Sequence, residues 1–479
     1  MSVQDQRQPN TDADTHEDLL TMTLHVNRSI SVAGPIVGGS HGFPGTSTSL
    51  DISAADYVER EYFISGNAAS YIATNSWTSD GRWDVEEESS APYTTRIIVR
   101  TPTDPDTFNG TVLVEWLNVS GDTDVDVDFG HMNEEITRGY AWVGVSAQAA
   151  GITSTGGSAL GDGVVGLLTW DPERYGNLDH PGDRYSYDIF SQIGTALRSP
   201  GDVDPLGGLV PTQILAAGQS QSGFRMLTYA NAVAPHARVF DGLIVHARGG
   251  IGAPLGDGMM LLDPAPARVR TDLDVPVFQL ITETELFELC GGPGPTSFVA
   301  ARQPDTDMIR TWEIAGTAHS DAYSLKILHP QYVRQFVDIK NLAALFDIVN
   351  DGPQRYVCCA ALRGLREWAA GGAAPASAPP ITTADDAIVR DRHGNALGGV
   401  RTPHLDVPLA VLTGEKVHVP TNGATIPFDA ATLAALYPGH GAYVTAFTEA
   451  TNRAVSGGFI LPEDGAVLIA ESALKMLGE

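Results

Sequence analysis

The sequence predicts an α/β fold: a mostly parallel central sheet flanked by helices, with a β-rich segment before it and a helical extension after it. Three observations point there. Short apolar runs recur at Thr111–Leu117, Tyr140–Ala147, Gln213–Ala217, Phe240–His246, Val275–Ile281 and Thr311–Ala315, each the length of one buried strand. Segments of helical character lie between several of them, and strands alternating with helices imply a parallel sheet. One junction, Gly218-Gln219-Ser220-Gln221-Ser222-Gly223, joins a strand to a helix through a turn of small residues.

Taken in order, residues 1–20 are polar and acidic and are expected to form a disordered arm. They contain no apolar run, so no signal peptide is expected. From residue 21 the chain reads as a single unit, with a core over about 57–330. Tyr57–Ile64 and Tyr93–Arg100 are the best strands of its N-terminal part. A short helix ended by Gly139 separates the Thr111 and Tyr140 strands, and Tyr187–Leu197 is expected to be helical. The chain past residue 330 reads as mainly helical to about Trp368, with Leu342, Leu345 and Phe346 on one face. A Pro- and Ala-rich linker (371–380), a hairpin-like segment around His393-Gly394-Asn395, and helices near Ala430–Leu436 and Tyr443–Ala454 follow. The stretch of about 331–479 exceeds what one strand–helix unit needs and is expected to wrap or cap the core.

The hexapeptide is the stretch around which the chemistry is organised. A strand, a sharp turn with small residues two before and two after a serine, and then a helix form the nucleophile elbow of the α/β-hydrolase fold. The turn is tight enough that a large side chain at either flank would collide with the neighbouring backbone. The helix N-terminus offers unpaired N–H groups to an oxyanion. Ser220 is the expected nucleophile. The usual final glycine is Ser222 here, which is small enough to fit, whereas choosing Ser222 as nucleophile would put Phe224 at the small position.

In this fold the acid and then the histidine follow the serine in chain order. The Val275–Ile281 strand leads into Thr282-Glu283-Thr284-Glu285. Glu285, three residues past the small residue at the strand end, is the expected acid, with Glu283 as the alternative. His319, in Gly316-Thr317-Ala318-His319-Ser320-Asp321 after the last strand, is the expected general base and acid. One oxyanion donor should be the N–H of Gln221, and the other should come from Asn118 or Val119. Trp116, Gln219 and Tyr185 are candidate substrate contacts. Trp116, Tyr185, Tyr175 and Phe287 stand on loops or strand ends that can equally be core.

The elbow occurs together with Val114-Glu115-Trp116-Leu117-Asn118-Val119-Ser120, Asp171-Pro172-Glu173-Arg174-Tyr175-Gly176, His180-Pro181-Gly182-Asp183, Tyr185-Ser186-Tyr187-Asp188-Ile189-Phe190 and Ala315-Gly316-Thr317-Ala318-His319. In these stretches the chain resembles the bacterial "alpha/beta hydrolase domain" family that carries a G-Q-S-Q-S-G elbow, from about Glu59 to the C-terminus. The resemblance implies a serine hydrolase with Ser220 and His319 as catalytic positions, and it leaves the acid open.

Composition narrows the partners. With 29 Lys+Arg against 58 Asp+Glu, the net charge of −29 disfavours nucleic acid and anionic membranes. No uncharged apolar run is long enough to span a bilayer. Of three cysteines, Cys290, Cys358 and Cys359, two are adjacent, so neither a disulfide framework nor a zinc site is expected. A cytoplasmic location is the default expectation. Asp122, Asp124, Asp126 and Asp128 alternate ahead of Gly130 and Glu135, loosely imitating a calcium loop, but the glycine stands one place late. No metal or cofactor is expected. The expected activity is hydrolysis of a small carboxylic ester or lactone through an acyl-enzyme on Ser220. Acyl transfer, triad-based lyase chemistry and non-catalytic ligand binding are the alternatives.

Overall fold

The computed structural model describes residues 30–158, 160–259, 261, 266–287, 289, 292–294, 296–336 and 345–475. The arm expected over 1–20, Cys290 and Leu342 lie outside the described residues. Among these, nine strands share one sheet: β1 (Ser31–Ala33), β2 (Tyr57–Ala73), β3 (Val85–Pro102), β4 (Thr111–Trp116), β5 (Ala141–Val145), β6 (Gln213–Gln219), β7 (Gly242–His246), β8 (Val277–Thr282) and β9 (Ile309–Ile314). Their spatial order is β1-β2-β3-β5-β4-β6-β7-β8-β9. The strands from β5 and β4 through β9 pair in parallel, and β1, β2 and β3 add an antiparallel edge. This is the expected α/β-hydrolase fold.

Side-chain alternation along the central strands divides the interior into two layers. Val112, Val114, Ile214, Ala216, Leu243 and Val245 face a layer built by Ile189, Phe190 and Ile193 of the Ser186–Arg198 helix and by Met226 and Leu227 after the elbow. Leu113, Leu215, Ile244, Phe278 and Trp312 face the other side, covered by Phe129 and Met132 of the Val127–Ile136 helix and by Val357, Leu362 and Leu365 of the Gln354–Ala369 helix. With both faces covered, β4 to β8 carry no exposed residue, which is why they read as unbroken apolar runs.

The β2–β3 hairpin is about twice as long as its two apolar stretches suggest. It continues from Ser65↔Thr94 to Ala73↔Val85 through Gly66, Asn67 and a serine-rich segment, with a register irregularity at Ser70/Tyr71. Backbone pairing and a Ser70–Ser89 hydroxyl contact of 2.7 Å sustain it where hydrophobicity gives no signal.

The part beyond 345 supplies one sheet-covering helix and several smaller pieces. Asp391–Asn395 forms the expected hairpin-like turn, closed by an Arg390↔Ala396 bridge. Ala410–Thr413 pairs with Ala424–Pro427, and Val400 forms a parallel bridge with Ile314 at the β9 edge. The closing helices are Ala430–Leu436, His440–Ser456 and, unanticipated, Pro462–Leu474. No helix among the described residues is long and apolar enough to cross a membrane.

Three of the alternating aspartates, Asp124, Asp126 and Asp128, have buried partners. Arg96 and Arg100 project inward from β3 and are fully buried. Arg96 Nη2 bonds Asp124 Oδ2 at 2.7 Å, and Arg100 Nη1 bonds Asp126 Oδ2 at 2.6 Å. Asp128 pairs with His246, and Glu135 with Arg138 and Arg363. Asp124, Asp126, Asp128 and Glu135 therefore diverge onto separate side chains instead of converging on one ion. Asp124→Ala is expected to cost about 3–5 kcal/mol by leaving Arg96 buried without its closest partner. Urea unfolding measures this, and a loss under about 1 kcal/mol, typical of exposed pairs, would contradict it.

Candidate active site

The elbow forms as its residue sizes demand. Ser220 sits between the end of β6 and the Gln221–Thr228 helix with φ 61° and ψ −120°, a conformation that strains any residue with a Cβ. A Cβ on Gly218 would lie 2.8 Å from the Ser222 carbonyl oxygen, and one on Gly223 only 2.4 Å from that of His246. The glycine that permits the closest approach is thus Gly223, one place beyond the usual pattern. Ser222 fits by donating its hydroxyl to the Leu117 carbonyl at 3.2 Å. Gly223→Ala is expected to lower stability by about 1–3 kcal/mol through overpacking and to slow any reaction at Ser220. Paired unfolding and rate measurements test this, and an unchanged rate would show that the β7 contact does not control the elbow.

His319 stands on the loop after β9. Ser220 Oγ lies 2.7 Å from its Nε2, and Glu285 Oε1 lies 2.7 Å from its Nδ1. The ring is held from its backbone as well: its N–H donates to Thr284 Oγ1 at 3.1 Å, and its carbonyl accepts from Gln219 Nε2 at 3.1 Å. Thr284 in turn donates to the Gly414 carbonyl at 2.7 Å. An ionised Glu285 fixes the proton on Nδ1, so Nε2 presents a lone pair to the serine hydroxyl.

Glu285 and Glu283 share the one-turn helix Glu283–Phe287 but leave it in different directions. Glu285 is fully buried, and its second oxygen accepts the Thr282 N–H at 2.5 Å. Burial opposes its ionisation, but the hydrogen bonds from His319 and Thr282 hold the carboxyl below its ordinary range. Glu283 instead accepts from the N–H groups of Gly316 and Gly414 at 2.7 and 3.1 Å and from Arg390 at 3.1 Å. It ties the histidine loop to the 410–427 hairpin and does not bond His319.

A depressed carboxyl contributes stability that is complete above its unfolded pKa of about 4.3 and is lost as pH falls through the lower folded value. Unfolding free energies measured from pH 6 down to 3 should therefore fall more steeply in the parent than in Glu285→Gln. Parallel curves would contradict the assignment of Glu285 as an ionised partner.

The positions expected to hold an oxyanion divide. The Asn118 N–H donates to the Val125 carbonyl at 2.9 Å, so it is occupied by a β-bridge that local sequence does not reveal. The N–H groups of Gln221 and Val119 donate to no acceptor among the described residues.

The expected substrate contacts prove to be scaffold. Trp116 is fully buried, donates to Gln148 Oε1 at 3.0 Å and packs on Tyr187 and Phe190. The Tyr185 hydroxyl pairs with Ser89 of the long hairpin at 3.1 Å. The Gln219 side chain donates to the His319 carbonyl, and its backbone carbonyl accepts from Asn118 Nδ2 at 3.0 Å. Tyr175 bonds Glu61 at 2.7 Å, and Phe287 packs with Phe298 and Leu412. Two residues without a motif of their own also bond this constellation: Thr284 accepts the His319 N–H, and the His246 carbonyl accepts the Ser220 N–H. The signal for His246 was a histidine closing an otherwise apolar strand.

A family model described as an alpha/beta hydrolase domain matches residues 32–470. No curated protein matches the chain. Among solved structures, a glucuronoyl esterase from Solibacter usitatus is 9% identical, with 60% of this chain and 81% of that one aligned at a TM-score of 0.29. A CE15 glucuronoyl esterase from Teredinibacter turnerae is 10% identical, with 57% and 64% aligned at a TM-score of 0.27.

Proposed function

Since the chain belongs to the alpha/beta hydrolase domain family, we propose that it hydrolyses a small carboxylic ester or lactone through an acyl-enzyme on Ser220. The observation that carries this reading is the unbroken hydrogen-bonded line from Ser220 Oγ through the His319 ring to Glu285, with 2.7 Å at each step. Ser220 is partly accessible to solvent, while its two partners are buried.

In this reading the serine oxygen attacks the acyl carbon as His319 Nε2 takes its proton. Glu285 stabilises the resulting imidazolium and holds its orientation. The negative charge on the former carbonyl oxygen is taken by the N–H groups of Gln221 and Val119, at the start of the elbow helix and after β4. Collapse breaks the ester C–O bond, and the Nε2 proton goes to the departing alkoxide. Water then repeats the sequence on the acyl-enzyme, returning the serine. In a lactone the departing alcohol stays attached to the acyl group, so a single hydroxy acid is released. No step requires a cofactor.

The test is a pre-steady-state assay with activated aryl esters of graded acyl length. Expected is a burst of phenolate approaching one equivalent per chain wherever deacylation is the slower step. Hydrolysis of every ester and lactone at the rate of a His319→Ala control would overturn the reading.

A further inference from the structure

Ser220 does not hold its strained backbone alone. Its N–H donates to the carbonyl of His246, the last residue of β7, at 3.0 Å. Gly223 lies so close to the same oxygen that a Cβ would meet it at 2.4 Å. Wherever that carbonyl sits, the nucleophile must follow.

The His246 side chain is fixed from two sides in a fully buried setting. Its Nδ1 lies 2.7 Å from Asp128 Oδ1, with neither side chain exposed. Gln354 Nε2 donates to its Nε2 at 3.1 Å. Three elements therefore meet at one ring: the Val127–Ile136 helix, β7 and the Gln354–Ala369 helix. The start of the first helix is itself held, because the Asp128 and Phe129 N–H groups each donate at 2.8 Å to Glu115 of β4.

The same interior reaches the histidine loop. His131 stands edge-on to His246 at 5.5 Å, and its Nε2 is 3.7 Å from Asp321 Oδ1. Asp321 follows His319 by two positions and caps the Ala322–Gln335 helix. Asp128 Oδ2, His131 Nε2, Asp321 Oδ2 and Gln354 Oε1 are buried without a hydrogen-bond partner among the described residues. A core shaped by stability alone does as well or better with apolar groups of similar volume. Breaches of that rule concentrate where function demands them.

We infer that Asp128 and His246 are positioning residues for the nucleophile. Asp128 accepts the Nδ1 proton and Gln354 donates to Nε2, so the ring cannot rotate and the terminal peptide of β7 is held in place. Its carbonyl then keeps the Ser220 N–H, and with it Oγ, in line with His319. This rests on the reading that Ser220 is acylated.

The test uses the full chain and compares His246→Leu, which removes both ring bonds, with His246→Asn, whose amide can still donate to Asp128. Active sites are counted with a fluorophosphonate, and the acylation rate constant and the ester dissociation constant Ks are measured per counted site from the concentration dependence of the burst. Expected is a fall of about 10² in acylation for His246→Leu, the effect of a displacement near 1 Å, with Ks little changed. His246→Asn should recover most of the loss. Acylation per site equal to the parent in His246→Leu, with only a lower melting temperature, would reduce the pair to a structural role. Should His246→Leu fail to fold, Gln354→Leu takes its place in the same assay. Slower acylation per site then supports the inference, and an unchanged rate overturns it. Failure of the parent to be labelled at Ser220 would instead remove the hydrolase reading, a result separate from either.

Discussion

Ser220→Ala is expected to lower ester hydrolysis by about 10³- to 10⁶-fold while the protein stays folded. The size follows from what the substitution removes. Without the oxygen, His319 has no hydroxyl to deprotonate, and only the residual effects of binding and the oxyanion donors remain. Stability supplies an independent check, because Ser220 holds φ 61° with a Cβ that such a turn disfavours. Ser220→Ala keeps that strain and should unfold like the parent. Ser220→Gly relieves about 1–3 kcal/mol of it, less the greater freedom that glycine gives the unfolded chain. It should therefore be as stable as the parent or more so, and equally inactive. Ester turnover by Ser220→Ala within tenfold of the parent would move the chemistry elsewhere.

Glu285→Gln is expected to lower kcat by about 10²- to 10⁴-fold, and Glu283→Gln to leave it near the parent value. The two carboxylates are separated by one residue but have unlike partners. Glu285 bonds the ring nitrogen of His319, so an amide there misorients the imidazole or stabilises the wrong tautomer and gives the imidazolium no counter-charge. Glu283 accepts two backbone N–H groups and the Arg390 guanidinium. Arg390 keeps Glu415 as a second partner at the surface, so the loss for Glu283→Gln is set by weakened buried hydrogen bonds at about 1–3 kcal/mol. Both variants lose buried hydrogen bonds, but only Glu285→Gln is expected to be a slow enzyme. Steady-state kinetics distinguishes them, and the reverse pattern would exchange the roles.

What the sequence made legible is what is encoded locally. The elbow is a short string whose residue sizes follow from backbone clearance. The strand–helix alternation is a periodicity, and the order of serine, acid and histidine follows from connectivity. What escaped depends on contacts between distant segments. Glu283 and Glu285 cannot be told apart by spacing, since the choice rests on Gly316, Gly414 and Arg390 gathering around one of them. Asn118 lost its candidate donor to Val125 across a tight loop. Trp116, at the end of a strand next to the site, is turned into the layer of Tyr187 and Phe190. The alternating aspartates resemble a cation loop because the partners of Asp124 and Asp126 lie on β3, well before them, and that of Asp128 on β7, well after it. The Pro462–Leu474 helix does carry local start signals, with Pro462 at its first position and Glu463 and Asp464 in its first turn.

Hydrolysis through an acyl-enzyme requires Ser220 to be an activated nucleophile. Intact-protein mass after reaction with a fluorophosphonate, followed by peptide mapping, measures this. Expected is one adduct per chain, located on Ser220 and lost in His319→Ala. An adduct on another residue, or labelling that persists without His319, would contradict it.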